Sequence, residues 1–324
     1  MNLFNINSSE IEEKYSDLPH QSEPSPILAF IFAGISTAGV IGNIVLLLYI
    51  IVHKLYHNFI SSHFIAHLCC TNLLTLLFLL PIFIYTVFTG QNVFEESQLL
   101  CRVQVLFTCT VWTVMTLMGL CIAGVHLLTF ARIHYEQLFG LAPGVLCGLS
   151  WLISLCLATP AITNGHIVTY DANLRHCIWS HSDSGLKFLT YLLFLGVFLP
   201  ALFASYAYIR VLGILYHSPI VFQSLGLYKS RFLVYAFLLS PVYQVPFYLM
   251  TLIDERDPWR NNLNETWPAI CTFLAFSQCF LSPALYGASL FMMKEEDMAL
   301  TARTHKNNPQ YQHVPTHSLQ AQLI

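Results

Sequence analysis

Charge is what this chain has least of. Only 10% of its 324 residues are Asp, Glu, Lys or Arg, against 56% hydrophobic, and the mean hydropathy is +0.60. Water would not tolerate such a chain as a monomeric globule, so the composition excludes an ordinary soluble domain and places the protein in lipid. Asp and Glu are absent from every long apolar run, in keeping with the cost of an unpaired carboxylate in hydrocarbon. No charged file therefore lines any span, which argues against a channel or transporter. Also missing are a P-loop, a dinucleotide fingerprint, an H-E-x-x-H helix and the paired C-x-x-C of a zinc site. No enzyme activity, resident metal, cofactor or nucleic-acid partner is expected. No internal repeat relates the two halves, which weighs against an inverted-repeat transporter.

What the sequence does have is apolar runs, at about 27–51, 64–88, 103–128, 142–162, 188–212, 232–253 and 269–292. Each is close to the ~20 residues a helix needs to cross the hydrocarbon. Seven spans put the two ends of the chain on opposite sides. Lys and Arg fall eight to six between the two faces, a small bias that favours an outside N-terminus. The glycosylation sequons add to it: Asn7-Ser8-Ser9 and Asn264-Glu265-Thr266 lie on the same expected face, and only an extracellular face can use them. The first run follows a polar, acidic segment without a cleavage site, so it is expected to serve as its own insertion signal.

Ten cysteines invite a disulfide reading, yet Cys69, Cys70, Cys109, Cys121, Cys147, Cys156, Cys271 and Cys279 sit within spans, where a thiol acts as small apolar filler. Cys101 and Cys177 differ. One starts the third span on the outer side and the other lies in the aqueous loop before the fifth, so both meet the oxidising side and can bridge. His166, His176 and His181 in that loop are expected to be solvated rather than a metal cluster.

The order of these features resembles a divergent, orphan member of the rhodopsin-like (class A) G-protein-coupled receptors. The resemblance rests on Cys101, Trp151 and Cys177, on Gly42-Asn43 in the first span and Asn72 with Pro81 in the second. It continues with Pro160, Pro200 with Tyr208, Pro246, and Ser282-Pro283-Ala284-Leu285-Tyr286. It implies an all-α membrane protein: a seven-transmembrane helix bundle with a short amphipathic eighth helix that carries Phe291. Residues 1–26 become an extracellular segment, 27–298 the receptor domain and 299–324 a disordered cytoplasmic tail. It also implies that Asn43, Asn72, His126, Tyr208, Pro246, Ser282 and Tyr286 belong to the activation switch.

Several residues depart from the family pattern. The acid–arginine–tyrosine triplet of the third span falls on Val125-His126-Leu127, which removes the usual ionic latch, and the expected carboxylate of the second span is the amide Asn72. Gln244 replaces the aromatic toggle before Pro246, Pro241 adds a second proline, and Thr116 and Ser240 stand where a packing core has bulky side chains. With Asn72, Met115 and Ser282 at the ligand positions, no bound sodium is expected. Thr108 stands where amine receptors place a salt-bridging aspartate, so a biogenic amine is disfavoured. Thr108, Trp112, Tyr191, Gln244 and Tyr248 are the candidate ligand-binding residues, in a neutral, aromatic setting suited to a lipid-like or apolar-anchored peptide ligand. The expected function is a glycosylated plasma-membrane receptor that passes an extracellular signal to a heterotrimeric G protein. The alternative is a decoy or heterodimer partner of the same fold.

Overall fold

The computed structural model describes residues 23–95, 97–131, 133, 135, 141–217, 231–239, 243–253 and 266–307. Asn7, Asn264, Ser240 and Pro241 lie outside the described residues. The elements in chain order are α1 (Pro26–Val52), α2 (Leu55–Asn58), α3 (Ser61–Thr89), α4 (Gln98–Ala131), α5 (Pro143–Thr163), β1 (Val168–Asp171), β2 (His176–Trp179), α6 (Asp183–His217), α7 (Arg231–Leu239), α8 (Val245–Leu252) and α9 (Thr266–Asn307). Among the described residues six helices are long and apolar enough to cross a membrane: α1, α3, α4, α5, α6 and α9. The pair α7 and α8 forms the sixth region of the bundle. Large apolar side chains such as Phe30, Leu48, Leu152, Phe203 and Leu249 stand more than half exposed on its outside. A surface of that kind is covered by lipid.

Helix ends follow local chemistry. Proline opens α1 and α5, where its missing N–H would be unsatisfied anyway. Gly90 closes α3 at φ 72, a left-handed position that a Cβ would strain. Ser182 caps α6 by accepting from the Gly185 N–H. Prolines inside spans need more. Pro81 follows a π-helical stretch, Thr75–Leu79, and Pro200 follows another, Leu192–Phe198. The widened turn makes room for a ring that would collide with the carbonyl four residues back.

Those prolines leave carbonyls without donors, in a setting where water cannot answer them. The Leu80 N–H goes to Thr75, so the Leu76 carbonyl has neither that donor nor one from Pro81. Ser36 of α1 donates to it instead, at 3.3 Å. In α9, Pro283 has no N–H for Cys279, and Asn43 Nδ2 of α1 donates to the Cys279 carbonyl at 2.9 Å. A Cβ on Gly42 would come within 3.2 Å of the Pro283 ring. The Gly-Asn pair therefore has two tasks: the glycine admits the proline and the asparagine answers the carbonyl that the proline frees. Asn72 Nδ2 completes the link, donating to Asn43 Oδ1 at 3.0 Å and to Ser282 Oγ at 2.7 Å. All three side chains are buried.

Two expectations differ from the structure. Residues 232–253 do not form one continuous span, because Tyr243 and Gln244 turn between α7 and α8, with Pro246 in the first turn of α8. The eighth helix is not set apart: α9 runs unbroken to Asn307, past the boundary expected at 298. No proline follows Pro283 before Asn307, so nothing in that stretch forces the backbone to stop.

The amide network sets the first test. Asn72→Leu removes both donated bonds and leaves the Asn43 carbonyl oxygen buried and unanswered. The melting temperature of the purified protein is expected to fall by the equivalent of about 1–2 kcal/mol. An unchanged melting temperature would mean that the network does not hold the first, second and seventh spans together.

Candidate ligand and switch sites

At one end of the bundle, β1 and β2 pair antiparallel, with Val168 opposite Trp179 and Asp171 opposite His176. The turn between them is held from both sides. The Asp171 carboxylate accepts the Asn173 and Leu174 N–H groups, and the Arg175 guanidinium donates to the Val87 and Glu23 carbonyls. Cys177 is bridged to Cys101 at the start of α4, with 5.5 Å between the Cα atoms. Closing a loop across 76 residues constrains the unfolded chain by about 4 kcal/mol in the chain-entropy model. The bridge holds β2 against the bundle, and every residue of that strand is buried.

His176 is not solvated, contrary to expectation. Its ring stacks on Phe83 at 4.7 Å and 10°, with Phe276 at 5.9 Å and 29°. Its Nδ1 lies 3.0 Å from Gln104 Nε2, while Gln104 Oε1 accepts the Cys177 N–H. Burial pushes its pKa down to about 4, against a smaller opposing pull from Asp171, so the ring is neutral. Trp179 stacks on Tyr248 at 5.5 Å and 17°. Beneath the strand lies a small cavity bounded by Thr108, Trp112, His176, Ile178, Trp179 and Phe247. The structure thus brings Thr108 and Trp112 to one cavity, with Tyr248 edge-on to Trp112 at 5.7 Å. Gln244 is buried and donates to Gln278 Oε1 at 3.1 Å. Tyr191 does not join them. It is 65% exposed, because Phe188, Leu189 and Leu192 take the inward face of α6.

At the opposite end, four spans meet around Phe237 of α7. Its ring stacks on Tyr286 at 4.8 Å and on Tyr208 at 5.6 Å, and lies 5.7 Å from His126. The Tyr208 hydroxyl is 3.5 Å from His126 Nδ1, the outer limit of a hydrogen bond. His126, Tyr208 and Tyr286 were each expected at this end. Phe237 was not, and neither were Gln104 and Trp179 at the hairpin end, where His176 was expected only as a solvated loop residue. Nothing in the pattern singled out Phe237 from the other phenylalanines, and a strand buried on both sides shows no alternation to find it by.

With this geometry in view, the comparisons are consistent. A family model of the 7 transmembrane receptors (rhodopsin family) matches residues 42–286, and the chain belongs to that family. Human C-X-C chemokine receptor type 5 is 26% identical over 268 residues, which are 76% of this chain and 69% of that receptor. The protein is a multi-pass plasma-membrane receptor and not an enzyme.

His176 makes the hairpin end sensitive to acid. Its folded pKa lies below the unfolded value of 6.5, so its contribution to stability is complete above pH 6.5 and is lost as pH falls toward 4. Between pH 7 and 4.5 the parent should lose melting temperature faster than His176→Phe, which keeps a stacked ring but cannot charge. The difference is bounded by one proton, about 1.4 kcal/mol per pH unit. Parallel curves would show that His176 does not titrate with unfolding.

Proposed function

We propose that the hairpin end faces the outside, with the N-terminus, and takes up a ligand, while the end around Phe237 engages a heterotrimeric G protein. The disulfide supports this orientation, since such a bond persists on the oxidising side. The ligand carries an apolar anchor, lipid-like or part of a peptide. The cavity is aromatic and, among the described residues, has no Asp or Glu to hold an amine, and one relative of the chain is by name a chemokine receptor.

The observation that carries the coupling reading is the meeting of His126, Tyr208, Phe237 and Tyr286, from four spans, at the end away from the cavity. Moving any one of these spans breaks ring contacts with the others, so the cluster can report a bundle rearrangement. Asn43, Asn72 and Ser282 act on the same equilibrium through the spans they join, and Pro246 through the break it sits beside in the sixth region. A second reading, a decoy or heterodimer partner, draws on Val125-His126-Leu127, which offers neither acid nor arginine.

His126→Arg decides between them. The guanidinium reaches further and is held off by no adjacent acid. GTPγS binding in membranes carrying each Gα class should rise above the parent at matched surface expression, by the roughly 5- to 150-fold typical of coupled sites. If neither parent nor variant loads nucleotide on any class, the receptor does not couple and the decoy reading stands.

A further inference from the structure

The unanswered polar atoms around the hairpin-end cavity are nearly all of one kind. Gln104 fixes the state of His176. The Cys177 N–H can only donate, so it meets the amide oxygen, and the amide NH2 must face His176 Nδ1. That nitrogen accepts, so the neutral ring carries its proton on Nε2. His176 Nε2 is buried with no hydrogen-bond partner among the described residues, and the same holds for Trp112 Nε1, Trp179 Nε1 and the Tyr248 hydroxyl. The two indole N–H groups and His176 Nε2–H can only donate, and the phenol can donate too. Three of the four side chains line the cavity, and the fourth is in ring contact with both tryptophans. Among the described residues, no Asp, Glu, Lys or Arg lines it.

Resting on the reading of this end as the ligand site, we propose that the cavity recognises an uncharged, flat, apolar group bearing a carbonyl oxygen. A carbonyl offers two lone pairs to donors that otherwise have none. An ammonium group would add donors to donors. A carboxylate would be buried without a counter-ion, at a cost that hydrogen bonds alone do not recover. The free volume is about 10 Å³, room for about one water. The anchor group therefore enters as the Trp179 ring leaves its stack on Tyr248, and β2 is the site's resident occupant until then.

The test uses thermal unfolding of the purified, full-length protein with 1-indanone, indane or 1-aminoindane at equal concentration. The ketone should raise the melting temperature more than the hydrocarbon or the cationic amine. Tyr248→Phe should cut the ketone's shift by half or more and leave the ligand-free melting temperature unchanged or higher, because the hydroxyl it removes has no partner among the described residues. Trp179→Ala, which opens an indole-sized space, should enlarge the ketone's shift and keep its lead over indane. An equal shift from indane, a larger one from the amine, or no shift from the ketone even in Trp179→Ala overturns the proposal. A lower ligand-free melting temperature in Tyr248→Phe does so too. No G protein enters this assay, so a failure here leaves the coupling reading standing, and an uncoupled receptor leaves this result unaffected.

Discussion

The carbonyl of Cys279 is where the bundle is tied. Pro283 strips it of its helical donor inside hydrocarbon, where no water can replace the lost bond. Asn43 answers it from α1, Gly42 makes room for the proline ring, and Asn72 joins both to Ser282. An amide at residue 72 suits this arrangement better than the family's carboxylate, because its NH2 donates to two acceptors at once. A proline in the seventh span thus dictates residues in the first and second. The same logic recurs at Pro81, where Ser36 of α1 serves the Leu76 carbonyl. Both lost donors are supplied by one helix.

The third span carries the other constraint. It buries side chains from Cys101 to Leu128, along nearly its whole length. At one end it anchors β2 through Cys101 and Gln104, and at the other it presents His126 to Tyr208 and Phe237. Trp112 lies between, against Phe247, Tyr248 and Phe276 from the sixth and seventh regions. A change at the hairpin reaches the far end through packed aromatic rings and a rigid helix, a physically continuous route by which each site can bias the other.

Much of this was legible beforehand, and for definable reasons. Spans show in the sequence because hydrocarbon imposes composition over about 20 residues. The bridging pair stood out because, of the ten cysteines, Cys101 and Cys177 alone fall outside the apolar runs of the sequence. Gly42-Asn43, Asn72 and Ser282 were visible as a resemblance, but their task became clear only when Pro283 was seen to free a carbonyl. The hairpin was hidden. Four-residue strands are too short for a periodic signal, and β2 has no solvated face. His176 was misjudged for the same reason, since a histidine in a loop is ordinarily wet. Tyr191 was misplaced because composition does not say which way one residue of an apolar helix points. The break between α7 and α8 needed the backbone itself, as prolines inside membrane helices do not always interrupt them.

In the proposed arrangement β2 lies inside the mouth of the bundle, on the outside of the cell, and occupies the site a ligand would take. Thr169 and Ile178 are direct partners in the hairpin, the first exposed and the second 2% exposed. Labelling of Thr169→Cys and Ile178→Cys on intact cells with a membrane-impermeant thiol reagent, against the unmodified chain as background, compares the exposed strand with the buried one at one register position. The account predicts rapid labelling at residue 169 and labelling at least about tenfold slower at residue 178, as expected when access requires a local opening of 1.4 kcal/mol or more. Equal rates at the two positions, or no labelling at residue 169, would contradict it.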